Sequence, residues 1–329
     1  MSRFLWLVPL LGIAGGGWYV VRHFDAQVER GEEGRIERIT LEPKGSILPT
    51  GLSDTVAGAA DRAAPGAKAT IRVASFHLDR LDDHKFARPV VSDLLVSLVP
   101  QFDLWAFQGL SGGTPSVLLR LLQRVNEGGR QYDFAVCPSV RETPTGQYLA
   151  FVFNRATIEV DLDTVRTIED PTNQFRHKPL VGLFRVRGPK PEDAFTFKLV
   201  NVQVDPAYAD NELPRLAEVY RAVRDDGLGE DDVILVGNFA AVPRKIDAVF
   251  EPARLHACVA DPLTSAGFST RSNLVISRRA TTEFTGRSGV FDLIRAYDLN
   301  PLTLQAVSAH LPVWAEFTAF EGGTPGFVP

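Results

Sequence analysis

The chain has 329 residues, of which 45% are hydrophobic and 23% charged, with 40 acidic side chains against 35 Lys and Arg. This composition is that of an ordinary globular protein, and it excludes long disorder, collagen-like repeats and a polytopic membrane protein. The net charge of -5 argues against a protein that coats nucleic acid by bulk charge, although it is compatible with a local basic groove. Cys137 and Cys258 are too few for a disulfide framework or a cysteine-built zinc site, and the sequence leaves their pairing open.

The first element in chain order is an uncharged run of 18 residues from Phe4 to Val21. As a helix it would measure about 27 Å, close to the hydrocarbon thickness of a bilayer. No A-x-A cleavage pattern follows it, and Trp18 and Tyr19 are suited to a membrane interface. Residues 1–23 are therefore predicted to be a single-pass membrane anchor, with a cleaved signal peptide and a buried core helix as alternatives. The side of the membrane is left open, with the extracytoplasmic side preferred for the domain that follows.

The chain after this run divides by composition. Residues 24–67 mix charges with Gly, Pro and Ala, which predicts a tether with a short helix over 28–39. One domain is predicted over residues 68–318. Residues 319–329 contain several Gly and Pro, so we expect a flexible tail there.

Short apolar strands alternate with amphipathic helices at the start of this domain, and strands predominate after that. Helical spacing of apolar side chains predicts helices over 88–99, 116–126 and 212–224. The predicted strands are 70–76, 104–107, 134–137, 148–154, 157–160, 181–186, 195–204, 232–236, 273–277, 290–294 and 304–307. Two packed sheets with helices outside would bury this many apolar strands, so the predicted fold class is α/β (α+β).

Polar residues follow many of these strands, and strand ends are where binding and catalytic side chains are often found. Eight segments carry them in order: VASFHLDRL (73–81), FDLWAFQGL (102–110), YLAFVFNR (148–155), KPLVGLFRV (178–186), FKLVNVQVDP (197–206), VILVGNFAAVP (233–243), RSNLVIS (271–277) and SAHLPVWAEF (308–317). In this order and spacing the chain resembles the endonuclease/exonuclease/phosphatase superfamily, typified by deoxyribonuclease I. The resemblance implies a two-sheet β-sandwich flanked by helices, which cleaves phosphodiester or phosphomonoester bonds with a divalent metal.

The resemblance also implies a set of site positions. The family has an Asn after the first strand, a metal-binding Glu after the Gln of the second, and a His in an N-x-H segment. It further has an Asp and an Asn in a G-D-F-N turn, and an Asp-His pair near the end. Carboxylates hold Mg²⁺ and place the attacking water, while histidines move protons and stabilise the charged phosphorane.

Most of these positions carry other residues in this chain. The degenerate site positions, in the order just given, are His77, Gly109, Gln203, Asn238, Ala240 and Ala309, and His310 is the sole retained catalytic residue of the set. Mg²⁺ requires carboxylate oxygens that these residues do not supply, and a Gln cannot shuttle protons. We therefore expect no resident metal, no cofactor and no family chemistry, because the loss of one member already disables a coupled site.

The leading hypothesis is a membrane-anchored, degenerate member of this superfamily that serves as a binding or scaffolding module. Its expected partners are the membrane, through residues 4–21, and an unidentified protein or phosphate-containing ligand, without a strong nucleic-acid signal. The alternative is a Mg²⁺- or Mn²⁺-dependent phosphodiesterase, nuclease or phosphatase with a site rebuilt from His77, Asp79, Asp205 and His310. A purely structural envelope protein is the third hypothesis.

Two basic stretches offer candidate anion-binding residues. Arg185 lies in the first of them, and Arg271 lies in the second. A solvent-exposed charged face is the default interpretation of such charge runs, and anion binding is the alternative.

Overall fold

The computed structural model describes residues 24–30, 36–43, 68–112, 114–137, 146–260 and 271–322, the first two ranges by their backbone alone. The chain divides into two compact units, residues 1–60 and 61–329. In the first unit, strand β1 (Phe24–Arg30) pairs antiparallel with β2 (Ile36–Pro43). The helix predicted over 28–39 is therefore wrong. Apolar residues at every second position of 24–28 have the period of a strand, and this local alternation was the better guide.

The predicted membrane anchor lies outside the described residues. Within the part of the chain that the structure describes, no helix is both long and apolar enough to cross a bilayer.

Twelve strands in two six-stranded sheets form the framework of the second unit. The first sheet contains β3 (Thr70–Leu81), β4 (Leu104–Ser111), β5 (Tyr132–Val136), β6 (Gln147–Asn154), β13 (Phe284–Val290) and β14 (Val313–Thr318), in the order β13-β14-β3-β4-β6-β5. The second contains β7 (Ile158–Thr167), β8 (Leu180–Val186), β9 (Thr196–Gln203), β10 (Val233–Asn238), β11 (His256–Ala257) and β12 (Ser272–Ile276), in the order β11-β12-β10-β9-β8-β7.

Helices cover the outer faces of both sheets. They are α1 (Asp83–Phe86), α2 (Pro89–Leu98), α3 (Ser116–Asn126), α4 (Ala209–Arg224), α5 (Pro243–Phe250), α6 (Leu293–Tyr297) and α7 (Pro301–Val307). Central strands are buried on both faces, as β4 illustrates. Leu104 and Ala106 belong to the core between the sheets, while Trp105 and Phe107 pack under the helices. This arrangement confirms the predicted two-sheet sandwich flanked by helices. Strands that are buried on both faces appear in the sequence as continuous apolar runs, which is why they could be predicted.

Two runs predicted as strands are largely helical. Within 290–294 only Val290 belongs to a strand, and α6 begins at Leu293 after the N-cap Asp292, whose side chain accepts the N–H of Arg295. The predicted strand 304–307 lies inside α7, which follows the N-cap Asn300 and has Pro at its first position. Short apolar runs do not distinguish a strand from a buried helix, so the capping residues were the better signal.

The folded unit also extends beyond the predicted boundary at residue 318. Ala319 is fully buried, and Phe320 forms a β-bridge with Ala194. The carboxylate of Glu321 accepts the backbone N–H of Thr196. Residues 319–322 therefore belong to the domain rather than to a flexible tail, and residues 323–329 lie outside the described part.

Two parallel strand pairs place the polar strand ends together. β3 runs parallel to β4 with His77 opposite Gln108, and β9 runs parallel to β10 with Gln203 opposite Asn238. The carboxyl ends of parallel neighbours lie at the same edge of a sheet, and loops at that edge commonly form ligand sites.

Candidate functional site

The two sheets are joined beneath the site by a buried amide bridge. Gln108 on β4 donates from Nε2 to Oδ1 of Asn201 on β9 over 2.8 Å. Asn201 in turn donates from Nδ2 to the carbonyls of Phe107 and Ala150, at 3.0 and 3.1 Å. Both side chains are fully buried. Because each polar group of this bridge has a partner, it fixes the ends of β4 and β9 relative to each other.

Gly109, which the resemblance aligns with the metal-binding Glu of the family, adjoins the imidazole of His77. A Cβ on Gly109 would lie 3.1 Å from Cε1 of His77 and 3.1 Å from the backbone nitrogen of Asp79. Gly109 has φ +68°, a conformation that a side chain disfavours. A glutamate here would therefore adopt a strained backbone conformation and would crowd the His77 imidazole and the backbone of Asp79.

His77, Asp79 and His310 form one cluster. Nδ1 of His77 lies 2.9 Å from Oδ1 of Asp79, and Nε2 of His310 lies 3.5 Å from the same oxygen. The two imidazole centroids are 4.5 Å apart. The other carboxylate oxygen, Oδ2, accepts the backbone N–H of Ala309 at 2.6 Å. His310 thus has a carboxylate neighbour from β3 in place of the missing Asp at position 309.

A bulge rather than regular strand alternation brings Asp79 to this cluster. The β3–β4 register shifts between His77 and Leu81, and both Asp79 and Arg80 adopt left-handed backbone angles, with φ of 45° and 60°. The Nζ of Lys85 donates to the carbonyl of Asp79 at 2.8 Å and holds the distorted backbone. Backbone in this region costs free energy and is often found at functional sites.

The pKa values of Asp79 and His310 in this cluster lie well below their ordinary values. Burial would raise the pKa of Asp79, but hydrogen bonds from His77 and the Ala309 N–H, together with the nearby imidazoles, hold that pKa well below its usual range. Burial lowers the pKa of His310 to about 4, with His77 and Arg271 acting in the same direction and Asp79 opposing them. At neutral pH the His310 imidazole is therefore uncharged, and hydrogen bonds are the main stabilisation of the Asp79 carboxylate.

Gln203, which the resemblance aligns with a histidine of the family, belongs to an amide network. Its Oε1 accepts the backbone N–H of Gly109 at 3.0 Å, while its Nε2 donates to Oε1 of Gln147 at 3.0 Å. The same Nε2 lies 3.3 Å from Nε2 of His177. Burial lowers the pKa of His177 to about 4, with Asp205 opposing and His77 and Arg176 assisting the shift. His177 is therefore neutral as well, and the network carries no formal charge.

The turn after β10 completes the site. Oδ1 of Asn238 accepts the N–H of Ala240 at 2.9 Å, so the amide stabilises its own turn. Ala240 has φ 52°, and its carbonyl accepts Nη1 of Arg271 at 3.3 Å. Arg271 is close enough to His310 to affect its pKa, and it supplies a positive charge beside the cluster.

Two residues singled out in the sequence do not belong to the cluster of His77, Asp79 and His310. Arg185 pairs in register with Thr196, at the opposite end of β9 from Gln203, and its Nη2 contacts Glu159 at 2.7 Å. Asp205 caps a short 3-10 turn by accepting the N–H of Ala207 at 2.9 Å. Among the described residues, the metal-competent group at this place contains His77, Asp79 and His310 without Asp205.

Sequence reasoning missed two participants, Gln147 and Ser308. Gln147 joins Gln203, as does His177 of the first basic stretch. Ser308 links the cluster, with Oγ at 2.7 Å from the carbonyl of His77 and 3.1 Å from Oδ2 of Asp79. Ser308 stands two residues before the retained histidine, which was a usable signal. No feature of the sequence around Gln147 indicated its role, because its position in the site depends on the pairing of β6 with β4.

Comparisons with known proteins agree with this fold. The chain matches no family profile. It is 26% identical over 269 residues to deoxyribonuclease-1-like 1 of Sus scrofa, covering 78% of this chain and 83% of that protein. It is 22% identical over 274 residues to deoxyribonuclease gamma of Rattus norvegicus, covering 74% and 83%.

Solved structures show the same architecture. An endonuclease/exonuclease/phosphatase from Bacteroides vulgatus superposes with a TM-score of 0.53 at 13% identity, covering 77% of this chain and 100% of that one. A family protein from Bacteroides thetaiotaomicron gives 0.51 at 15% identity, covering 75% and 97%. Related sequence over most of the domain, together with two six-stranded sheets flanked by helices, makes this chain similar to the deoxyribonuclease I-like proteins in sequence and to the endonuclease/exonuclease/phosphatase proteins in fold.

Proposed function

We propose that the protein is a membrane-anchored member of this superfamily that does not perform Mg²⁺-dependent phosphoester hydrolysis and acts as a binding or scaffolding module. The observation that carries the proposal is the packing of His77 against Gly109, where the family places its metal-binding Glu. Gly109 supplies no carboxylate, and the His77 imidazole would lie only 3.1 Å from the first carbon of a side chain at that position.

The remaining metal positions do not fit Mg²⁺ either. Asn238 uses its amide oxygen on the Ala240 N–H, and Ala309 contributes only a backbone N–H, which it donates to Asp79. Mg²⁺ loses its water shell reluctantly and is usually held by one or two carboxylates in near-octahedral geometry. Asp79 is the one carboxylate in the cluster, and its Oδ2 is engaged by the Ala309 N–H.

Proton transfer is also unsupported at the Gln203 position. An amide does not accept and release a proton near neutral pH, so it cannot replace a general base. Both ends of the Gln203 amide are engaged, with Gly109 and with Gln147. Phosphate ester hydrolysis is among the slowest uncatalysed reactions, and the loss of one member of a coupled catalytic set removes most of the rate.

The ligand class follows from the charge that the site retains. Arg271 lies beside His310 and supplies a positive charge at the edge of the cluster, which favours a phosphate-containing or other anionic ligand. The apolar run from Phe4 to Val21 supports attachment to a membrane, where the domain could present this surface to a protein or lipid partner.

A hydrolysis assay tests the proposal. The full chain in detergent is incubated with Mg²⁺ or Mn²⁺ and with three substrates: a chromogenic phosphodiester, a phosphomonoester and double-stranded DNA. We expect no turnover above a protein-free blank, and identical traces for His310→Ala and for the exposed-site control His256→Ala. Metal-dependent turnover that disappears in His310→Ala and persists in His256→Ala would refute the proposal.

One observation favours a second candidate, a phosphoesterase with a rebuilt site. Asp79 places a carboxylate 3.5 Å from Nε2 of His310, which restores the acidic neighbour lost at position 309. This candidate predicts turnover that is abolished equally by Asp79→Asn and His310→Ala. Turnover that survives in Asp79→Asn would exclude the rebuilt site.

A further inference from the structure

The cluster of two imidazoles and one carboxylate has the composition of a transition-metal site. We propose that His77, Asp79 and His310 bind one divalent ion of the zinc class, in place of the Mg²⁺ site of the superfamily. One donor atom from each of the three residues lies within 4.8 Å of the other two. Histidine nitrogen and carboxylate oxygen are common ligands of Zn²⁺, and three protein ligands with an open fourth position are typical of its accessible sites.

The spacing of the donor atoms agrees with tetrahedral coordination. Zn²⁺ binds nitrogen and carboxylate oxygen at about 2.0–2.2 Å, which places tetrahedral ligands about 3.3 Å apart. Oδ1 of Asp79 lies 2.9 Å from Nδ1 of His77 and 3.5 Å from Nε2 of His310, on either side of that value. For Nδ1 of His77 to bind the ion, the neutral imidazole carries its proton on Nε2, and the hydrogen bond between Nδ1 and Asp79 is replaced by shared coordination.

The surrounding charges select a softer ion over Mg²⁺. Hard ions depend on negative oxygen ligands, and the cluster offers one carboxylate. Lys85 donates to the Asp79 carbonyl, and Arg271 lies beside His310. These two positive side chains repel a metal ion that is held only by electrostatic attraction, as Mg²⁺ is. Imidazole nitrogen compensates through its intrinsic affinity for late transition metals, which rises toward copper and remains high at zinc.

Second-layer contacts hold the donors in place. Oδ2 of Asp79 accepts the Ala309 N–H at 2.6 Å and lies 3.1 Å from Oγ of Ser308. The same hydroxyl lies 2.7 Å from the carbonyl of His77 and accepts the backbone N–H of His310 at 2.9 Å. Ser308 therefore acts as a positioning residue for all three ligands, as outer-layer partners do in metal proteins.

Solvent can reach the cluster. The side chains of His77, Asp79 and His310 are 12%, 32% and 22% exposed. An ion can therefore enter without opening the core, and water or an anionic group can occupy the fourth position. The inference does not depend on the proposed function, because an ion can be bound here whether or not any phosphoester is hydrolysed.

Metal titration tests the inference without a substrate. The full chain, purified in detergent through a tag free of histidine and stripped with a chelator, is titrated with Zn²⁺ by calorimetry and with Co²⁺ by visible absorption. We expect one equivalent of each ion per chain, d–d bands of a low-coordinate Co²⁺ site, and no heat with Mg²⁺. Asp79→Asn and His310→Ala should weaken binding by at least about 100-fold, and Ser308→Ala by about 10-fold.

Exposed histidines provide the matched controls. His84→Ala and His256→Ala should bind Zn²⁺ like the parent chain, because both residues lie outside the cluster and are exposed. Absence of Zn²⁺ and Co²⁺ binding by the parent chain overturns the inference, and this result does not depend on any variant folding. Binding that persists unchanged in Asp79→Asn and His310→Ala, or that is lost in the two controls, overturns it equally.

Discussion

The buried amide of Asn201 should be a major source of stability, because it carries the hydrogen bonds that join the two sheets beneath the site. Asn201→Ala removes three of them: one accepted from Gln108 at 2.8 Å and two donated to the carbonyls of Phe107 and Ala150 at 3.0 and 3.1 Å. A buried hydrogen bond contributes about 1 to 1.5 kcal/mol, and an orphaned buried group costs more. The free energy of unfolding should fall by about 3 to 5 kcal/mol.

Urea denaturation followed by fluorescence and circular dichroism measures this loss, and the melting temperature should fall by roughly 10 °C. The matched control is Asn300→Ala, which removes an exposed helix cap on the Thr303 N–H and should cost about 1 kcal/mol. A double-mutant cycle with Gln108→Ala should give a coupling of about 1 kcal/mol. A cost for Asn201→Ala no larger than that of Asn300→Ala would refute the reasoning, since the bridge would then contribute no more than a surface cap.

Two further predictions concern the second sheet and its surroundings. Burial, reinforced by Glu283, raises the pKa of Asp232 to about 8 from its ordinary value of 3.8, so the protonated carboxyl favours the folded state. This stabilisation is complete below about pH 4 and is lost as the pH rises through about 8. Asp232→Asn should therefore gain stability relative to the parent chain across that window in denaturation at stepped pH, and a pH-independent difference would contradict the assignment. Gly237→Ala would place a Cβ 2.0 Å from the carbonyl oxygen of Val202 and should cost more than about 4 kcal/mol or prevent folding, as measured by soluble yield and unfolding. Gly229→Ala, which also has positive φ but open space, should cost only about 1 to 2 kcal/mol, and equal losses in the two variants would show that strain rather than the close approach is decisive.

Local patterns were sufficient for most elements of the domain. The apolar spacing in residues 116–126 predicted a helix with the observed bounds, because one face of that helix is buried and the other is exposed. Patterns failed where a short apolar run was compatible with both strand and helix. The runs at 290–294 and 304–307 read as strands, although Asp292 and Asn300 act as helix caps immediately before α6 and α7.

The order of polar strand ends was enough to predict which positions gather at the site. Parallel pairing places His77 beside Gln108 and Gln203 beside Asn238, so the site could be anticipated once the strands were recognised. The position of Arg185 at the far end of β9 from Gln203 could not be predicted, because it depends on the antiparallel register of β8 against β9. A single sequence contains no direct record of that register.

The amino-acid sequence by itself determined that positions 109, 238 and 309 carry no carboxylate and predicted two packed sheets, because these follow from residue identity and local periodicity. Only the tertiary structure decided which acidic side chain lies beside His310. Asp79 meets the Ala309 N–H across 230 positions of sequence, through a bulge with left-handed backbone and a loop from the other end of the domain. Such a contact depends on how the backbone bends at two distant places, and local residue preferences do not specify that bend. His310 appears isolated from its acids in the sequence, whereas in the fold it faces one.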